Sequence, residues 1–128
     1  MQLQPGLTAR VELTVTDADT AQTLGSGDVP VLGTPRVLAL AEAATVAALA
    51  ARLDPGQTTV GAHVELDHVA ATAVGRRVTA LAILAKVDGR RLLFDIVVRD
   101  GDELVAEGRV ERVMVDRQRF LAKAFEAP

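Results

Sequence analysis

The sequence contains no cysteine, tryptophan or tyrosine, and only three of its 128 residues are phenylalanine. Without cysteine there can be no disulfide, thiol nucleophile or thiolate metal ligand, so thiol chemistry is excluded and a reducing, cytoplasmic setting is the expectation. Scarce aromatics remove the stacking platforms that hold nucleobases, and a net charge of -3 supplies no basic field for a phosphate backbone. Nucleic acid is therefore not an expected partner. Unbroken apolar runs are missing too. The N-terminus, MQLQPGLTARVE, lacks a basic region followed by an apolar core, and the most apolar stretch is interrupted by Arg36, Glu42 and Arg52. Neither a signal peptide nor a membrane anchor is expected. Residues 1–128 read as one domain, with no metal ligand set assigned. The pairs Arg76/Arg77, Arg90/Arg91 and Arg117/Arg119 read as solvated charge, although each could hold a phosphate.

What the sequence does contain is clear periodicity. Leu7, Ala9, Val11, Leu13 and Val15 alternate with polar residues, as in a half-buried strand. Residues 16–33 are turn formers and small polar residues, which predicts a loop with a short turn of helix. Thr34 is placed to cap a long helix from Pro35 to Leu53, and Asp54-Pro55-Gly56 breaks it. Four strands are expected next, over Thr58–Ala71, Arg77–Val87, Arg91–Arg99 and Glu103–Val115, with Asp88-Gly89 and Asp100-Gly101 as hairpin turns. A polar C-terminal helix, DRQRFLAKAFEAP, carries no assigned chemistry. The order gives an α+β fold in which a curved antiparallel sheet wraps one long helix. That helix is apolar on nearly every side and one sheet covers only part of it, so a homodimer is expected. In the competing reading, the chain is a monomer whose 16–33 loop folds over the helix.

Against this apolar background three features stand out. Glu42 is a lone carboxylate whose helical neighbours are Pro35, Leu38, Ala39, Thr45, Val46 and Leu49. Burying an unpaired carboxylate costs several kcal/mol, so such a residue has a use. His68 falls on the inward face of its strand with Val60, Ala62, Val64 and Leu66 if that strand is regular, while His63 lies outside among carboxylates. At Gly33-Thr34 the helix start presents free N–H groups and the positive end of the helix dipole, a candidate oxyanion site. Thr34 and Glu42 are eight residues apart, about 12 Å along a helix. They cannot meet in one subunit; a substrate or a partner chain must bridge them.

The runs VPVLGTPRVLALAEAA, TTVGAHVELDHVAAT and VDGRRLLFDIVVRDGDELVAEGRVERVMVD resemble the hotdog-fold acyl-CoA thioesterases, and within them the fluoroacetyl-CoA thioesterase family. The resemblance spans residues 7–123. It implies a homodimer and a catalytic trio of Thr, Glu and His, which falls on Thr34, Glu42 and His68, with Gly61 near the bound acyl group. One departure bears on specificity: the fluoroacetyl-specific member has aromatic residues in the loop before the helix, and this loop, TAQTLGSGDVPVLG, has none.

The expected activity is hydrolysis of a small acyl-CoA thioester to a carboxylic acid and CoA, with CoA as part of the substrate and no separate cofactor. Gly33 and Thr34 would bind the oxyanion, Glu42 would act as base or nucleophile, and His68 would protonate the thiolate or orient Glu42. Competing readings are a non-catalytic acyl-binding protein in which Glu42 and His68 form a satisfied pair, and an enoyl-CoA hydratase of the same fold.

Overall fold

The computed structural model describes residues 3–127. Strand β1 (Thr8–Thr14) leads into a 3-10 turn (Asp17–Asp19), a one-turn helix α1 (Ala21–Leu24) and the long helix α2 (Thr34–Leu49). Strands β2 (Gln57–His68), β3 (Arg77–Asp88), β4 (Arg91–Asp100) and β5 (Glu103–Asp116) follow, and helix α3 (Arg117–Ala124) ends the fold. All strand pairs are antiparallel, in the order β1-β3-β4-β5-β2.

The core lies between α2 and the concave face of this sheet. Alternate residues of β3 as far as its bulge (Val78, Ala80, Ala82, Leu84) and of β4 (Leu92, Phe94, Ile96, Val98) are buried, as strand periodicity requires. From the helix come Val37, Leu40, Ala41, Ala44, Ala48 and Leu49. The alanines on both surfaces let the helix sit close over β1 and β3, and Phe94 is the largest fully buried side chain. Both hairpin turns form as expected. Gly89 and Gly101 stand first in two-residue loops with φ of 60° and 59°, the position that type II′ turns reserve for glycine.

Register shifts at Gly61/His63, Leu84/Lys86 and Val98/Arg99 are β-bulges that bend the sheet around the helix. The first bulge corrects the regular-strand reading of β2. Val64 and Leu66 pack on the core, but beyond the bulge it is Thr59 and Gly61, not Val60 and Ala62, that share a face with the inward Arg112. One extra residue reverses every side chain before it.

Two boundaries of α2 also differ from expectation. Gly33, not Thr34, is the N-cap, so Thr34 is the first helical residue and its hydroxyl caps nothing. The helix stops at Leu49 rather than Leu53, because Ala51 takes a left-handed conformation (φ 64°) and turns the chain toward β2. Strand β2 ends at His68 rather than Ala71, and the chain then crosses to the entry loop, where Leu32 N–H donates to the Thr72 carbonyl.

The sheet covers one flank of α2. On the other flank Ala39, Ala43, Val46, Ala47 and Ala50 are exposed in a single chain, and β2 is an edge strand of twelve residues with one side unpaired. No described helix is long and apolar enough to cross a membrane.

Candidate active site

Residues 16–33 are structured by one buried carboxylate. Asp19 accepts from the Thr16 N–H (2.8 Å) and hydroxyl (3.0 Å), and from Arg36 Nε (3.0 Å) in the first turn of α2. Its backbone carbonyl accepts from Gly33 N–H at 2.9 Å. Burial pushes the Asp19 carboxyl up, but the Thr16 hydrogen bonds, the Arg36 hydrogen bond and the Arg36 charge outweigh it, and the group sits below the ordinary carboxylate range. The loop is thus bolted to the helix start. Gly33 is buried against Ala21, and an added Cβ would stand 3.0 Å from the Ala21 backbone, so that one of the two would have to give way.

This arrangement decides what Thr34 does. With Gly33 N–H taken by Asp19, Pro35 lacking an N–H, and the Arg36 and Val37 amides both donating to the Gly33 carbonyl, the Thr34 N–H is left without an acceptor among the described residues. The Thr34 hydroxyl lies 2.7 Å from His68 Nδ1, at the end of β2. His68 faces the helix, as expected, and its Nε2 is buried with no partner among the described residues. Thr34 and His68 both line a cleft of about 350 Å³, whose other walls come from the entry loop and from residues 69–71.

Glu42 occupies a second location on the same helix. Its carboxylate accepts from Arg112 Nη1 at 3.0 Å. Arg112 is a buried cation of β5, held by Thr59 through its hydroxyl (2.8 Å to Nε) and its carbonyl (3.0 Å to Nη2). The expectation of a carboxylate surrounded only by apolar groups, facing His68, is corrected here: its partner is Arg112 and its side chain is 33% exposed. Among the described residues no hydrogen bond joins Glu42 to Thr34 or His68 within one chain. Gly61 lies directly against the carboxylate, where an added Cβ would overlap Glu42 Oε2. Arg112 was missed because it sits seventy residues from Glu42 in an alternating strand, where an arginine reads as surface charge. The one available signal was that Arg112 shares the parity of Val110, an inward position.

His63 is exposed and 3.3 Å from Glu65, as a solvated histidine should be. Arg76 pairs with Asp100 and Arg91 with Glu111. Among the described residues no three histidine or acidic side chains gather as a metal site.

The model of the fluoroacetyl-CoA-specific thioesterase family, FlK, matches residues 15–118 of this chain. The chain belongs to that family. Its similarity to the fluoroacetyl-CoA thioesterase of Streptantibioticus cattleyicolor is 37% identity over 93 residues, 73% of this chain and 67% of that one. A solved structure of the fluoroacetyl-CoA thioesterase FlK superimposes with a TM-score of 0.91 at 29% identity, covering 100% of both chains. A hot-dog-like protein from Thermanaerovibrio acidaminovorans superimposes with a TM-score of 0.86 at 25% identity, over 97% of this chain and 94% of that one. The wrapped helix is therefore the central helix of a hotdog fold, and this FlK-family chain is a thioester hydrolase.

Proposed function

We propose that this protein hydrolyses acyl-CoA thioesters at a site to which two subunits contribute, Thr34 and His68 from one and Glu42 from the other. Membership of a thioesterase family supports the reaction, and the observation that carries the site is the 2.7 Å contact between Thr34 and His68 on the wall of a cleft. The free Thr34 N–H, at the positive end of the helix dipole, receives the thioester oxygen as it gains charge. Glu42 takes a proton from the attacking water, and Arg112 and Gly61 set where its carboxylate points. The water oxygen adds to the carbonyl carbon, the carbon–sulfur bond breaks, the Thr34–His68 pair delivers a proton to the departing CoA thiolate, and the proton held by Glu42 restores that pair. Acid and free CoA leave.

Two features support the homodimer. The exposed alanine and valine flank of α2 is an apolar surface that needs a cover, and a long unpaired β2 edge needs a partner strand. A two-fold axis between antiparallel copies of β2 satisfies both, and it turns the middle of one helix toward the start of the other.

Thiol release from a panel of acyl-CoA substrates tests the reaction. Thr34→Ala and Glu42→Gln should each lower kcat by about 10²- to 10⁴-fold while leaving the fold intact by circular dichroism. Mixing the two inactive variants under subunit exchange separates a shared site from a private one. Half of the sites in each mixed dimer regain both groups, so recovery of about a quarter of wild-type activity is expected. No recovery would place all three groups in one chain, and a fully active Glu42→Gln would remove Glu42 from the mechanism.

A further inference from the structure

The cleft at Thr34 and His68 is much larger than a two-carbon acyl group. At about 30 Å³ per heavy atom, the share of a water molecule in the liquid, an acetyl group fills roughly a quarter of its 350 Å³. Its aliphatic lining is Ala21, Val29, Val31, Leu32, Val69 and Ala71, beside the polar groups of Ser26, Thr34 and His68. No aspartate, glutamate, lysine or arginine lines it. Three large apolar side chains remain exposed around it, Leu24 (42%), Val29 (49%) and Val69 (58%), whereas Leu32 and Val37 of the same region are buried. A guest that covers them gains the corresponding transfer free energy.

We propose that this cleft is the acyl-chain site and that it selects uncharged aliphatic acyl groups of about four to eight carbons, which by the same volume rule occupy roughly two fifths to three quarters of it. The assignment rests on the thioesterase reading above and names its substrate class. A terminal carboxylate on the acyl group, at the far end from Thr34 and His68, would lose its hydration against walls that offer no lysine or arginine. The pantetheine arm of CoA fits the cleft less well, because its two amides need hydrogen-bond partners. The side-chain polar groups on these walls are those of Ser26, Thr34 and His68; the last two bond each other, and with the free Thr34 N–H they are taken up by the thioester in the reaction above. The carbonyl therefore sits at Thr34 with the aliphatic chain running along the loop, and the CoA arm leaves toward solvent.

Gly27 offers a way to shorten the site. Its φ is not in the left-handed range, and an added Cβ meets only the Ala21 Cβ at an ordinary 3.5 Å, so a side chain is accommodated there and projects beside Ala21 on the cleft wall. The experiment measures kcat/KM for saturated acyl-CoA substrates from two to twelve carbons, together with succinyl-CoA, for the wild type, Gly27→Leu and Val29→Phe. In the wild type kcat/KM should rise about fourfold per methylene from acetyl-CoA to an optimum between about four and eight carbons, and butyryl-CoA should exceed succinyl-CoA by about tenfold or more. Either variant should move the optimum to shorter chains; Val29→Phe changes an exposed side chain and serves if Gly27→Leu does not fold. A maximum at acetyl-CoA, or succinyl-CoA turned over as well as butyryl-CoA, would overturn the assignment. If no thioester is cleaved, the hydrolase reading fails separately, and calorimetry with free octanoate decides on the cleft. Binding that weakens about tenfold in the variants upholds the aliphatic site, and no binding to the wild type ends it.

Discussion

The first turn and the middle of α2 each carry a polar group on an apolar helix, and they are held in opposite ways. At the first turn the fastening is short-range in sequence: Asp19 reaches Arg36 and Gly33, and the entry loop folds back on the helix it precedes. In the middle, Glu42 is held by Arg112 from β5, and Arg112 is itself held by Thr59 of β2. The Asp19 fastening lies within the loop and the helix start, whereas the Glu42 arrangement exists only when β2, β5 and α2 are all in register. Thr34 and His68 belong to the first region and Glu42 to the second, so a single subunit keeps apart groups that the proposed reaction needs together.

Breaking the middle region should have the larger effect on stability. Arg112→Met leaves Glu42 and both Thr59 groups without their donor, and about 2–4 kcal/mol should be lost in chemical denaturation, below the full figure for a buried ion pair because Glu42 is partly solvated. Hydrolysis should fall with it, and an Arg112→Met protein as active and stable as the wild type would show that Glu42 is positioned by something else. Gly61→Ala sharpens the point without removing a charge. Its methyl must displace the Glu42 carboxylate, the movable end of a flexible side chain, so kcat should drop about tenfold or more while stability changes by only about 1 kcal/mol. Equal losses in both would mean that the strand, not the carboxylate, gave way.

Asp19→Asn tests the first region, with a smaller expected cost of about 1–2 kcal/mol, because three donors lose their charged acceptor but the backbone contact to Gly33 persists. Its pH dependence has a definite sign. The Asp19 carboxyl lies lower in the folded protein than in the unfolded chain, so its contribution is present above the unfolded carboxylate pKa and disappears as pH falls through the folded value. Acid titration of stability should therefore be shallower in Asp19→Asn than in the wild type below about pH 4, and identical slopes would assign the acid sensitivity to other carboxylates.

Much of this was legible in order along the chain. Alternation identified all five strands, Asp88-Gly89 and Asp100-Gly101 located the hairpins, and the isolation of Glu42 and His68 among apolar residues marked them for attention. These are local signals, written in period and in turn chemistry. The N-cap was misplaced by one residue because Thr34 and Gly33 are both acceptable caps locally, and the choice depends on Asp19 and His68, which lie outside the helix. The bulge at Gly61/His63 was invisible because Val60 and Ala62 fit an inward pattern as well as Thr59 and Gly61 do.

By itself, then, the sequence determined the kinds of element, their order, and which few polar residues stand apart from the core. Only the tertiary structure decided that Glu42 is partnered by Arg112, that Thr34 turns its hydroxyl to His68, and that an aliphatic cleft opens beside them. The reason is physical: periodicity is set by each residue's own backbone geometry, whereas pairing and cavity shape depend on strand register, which one bulged residue can invert.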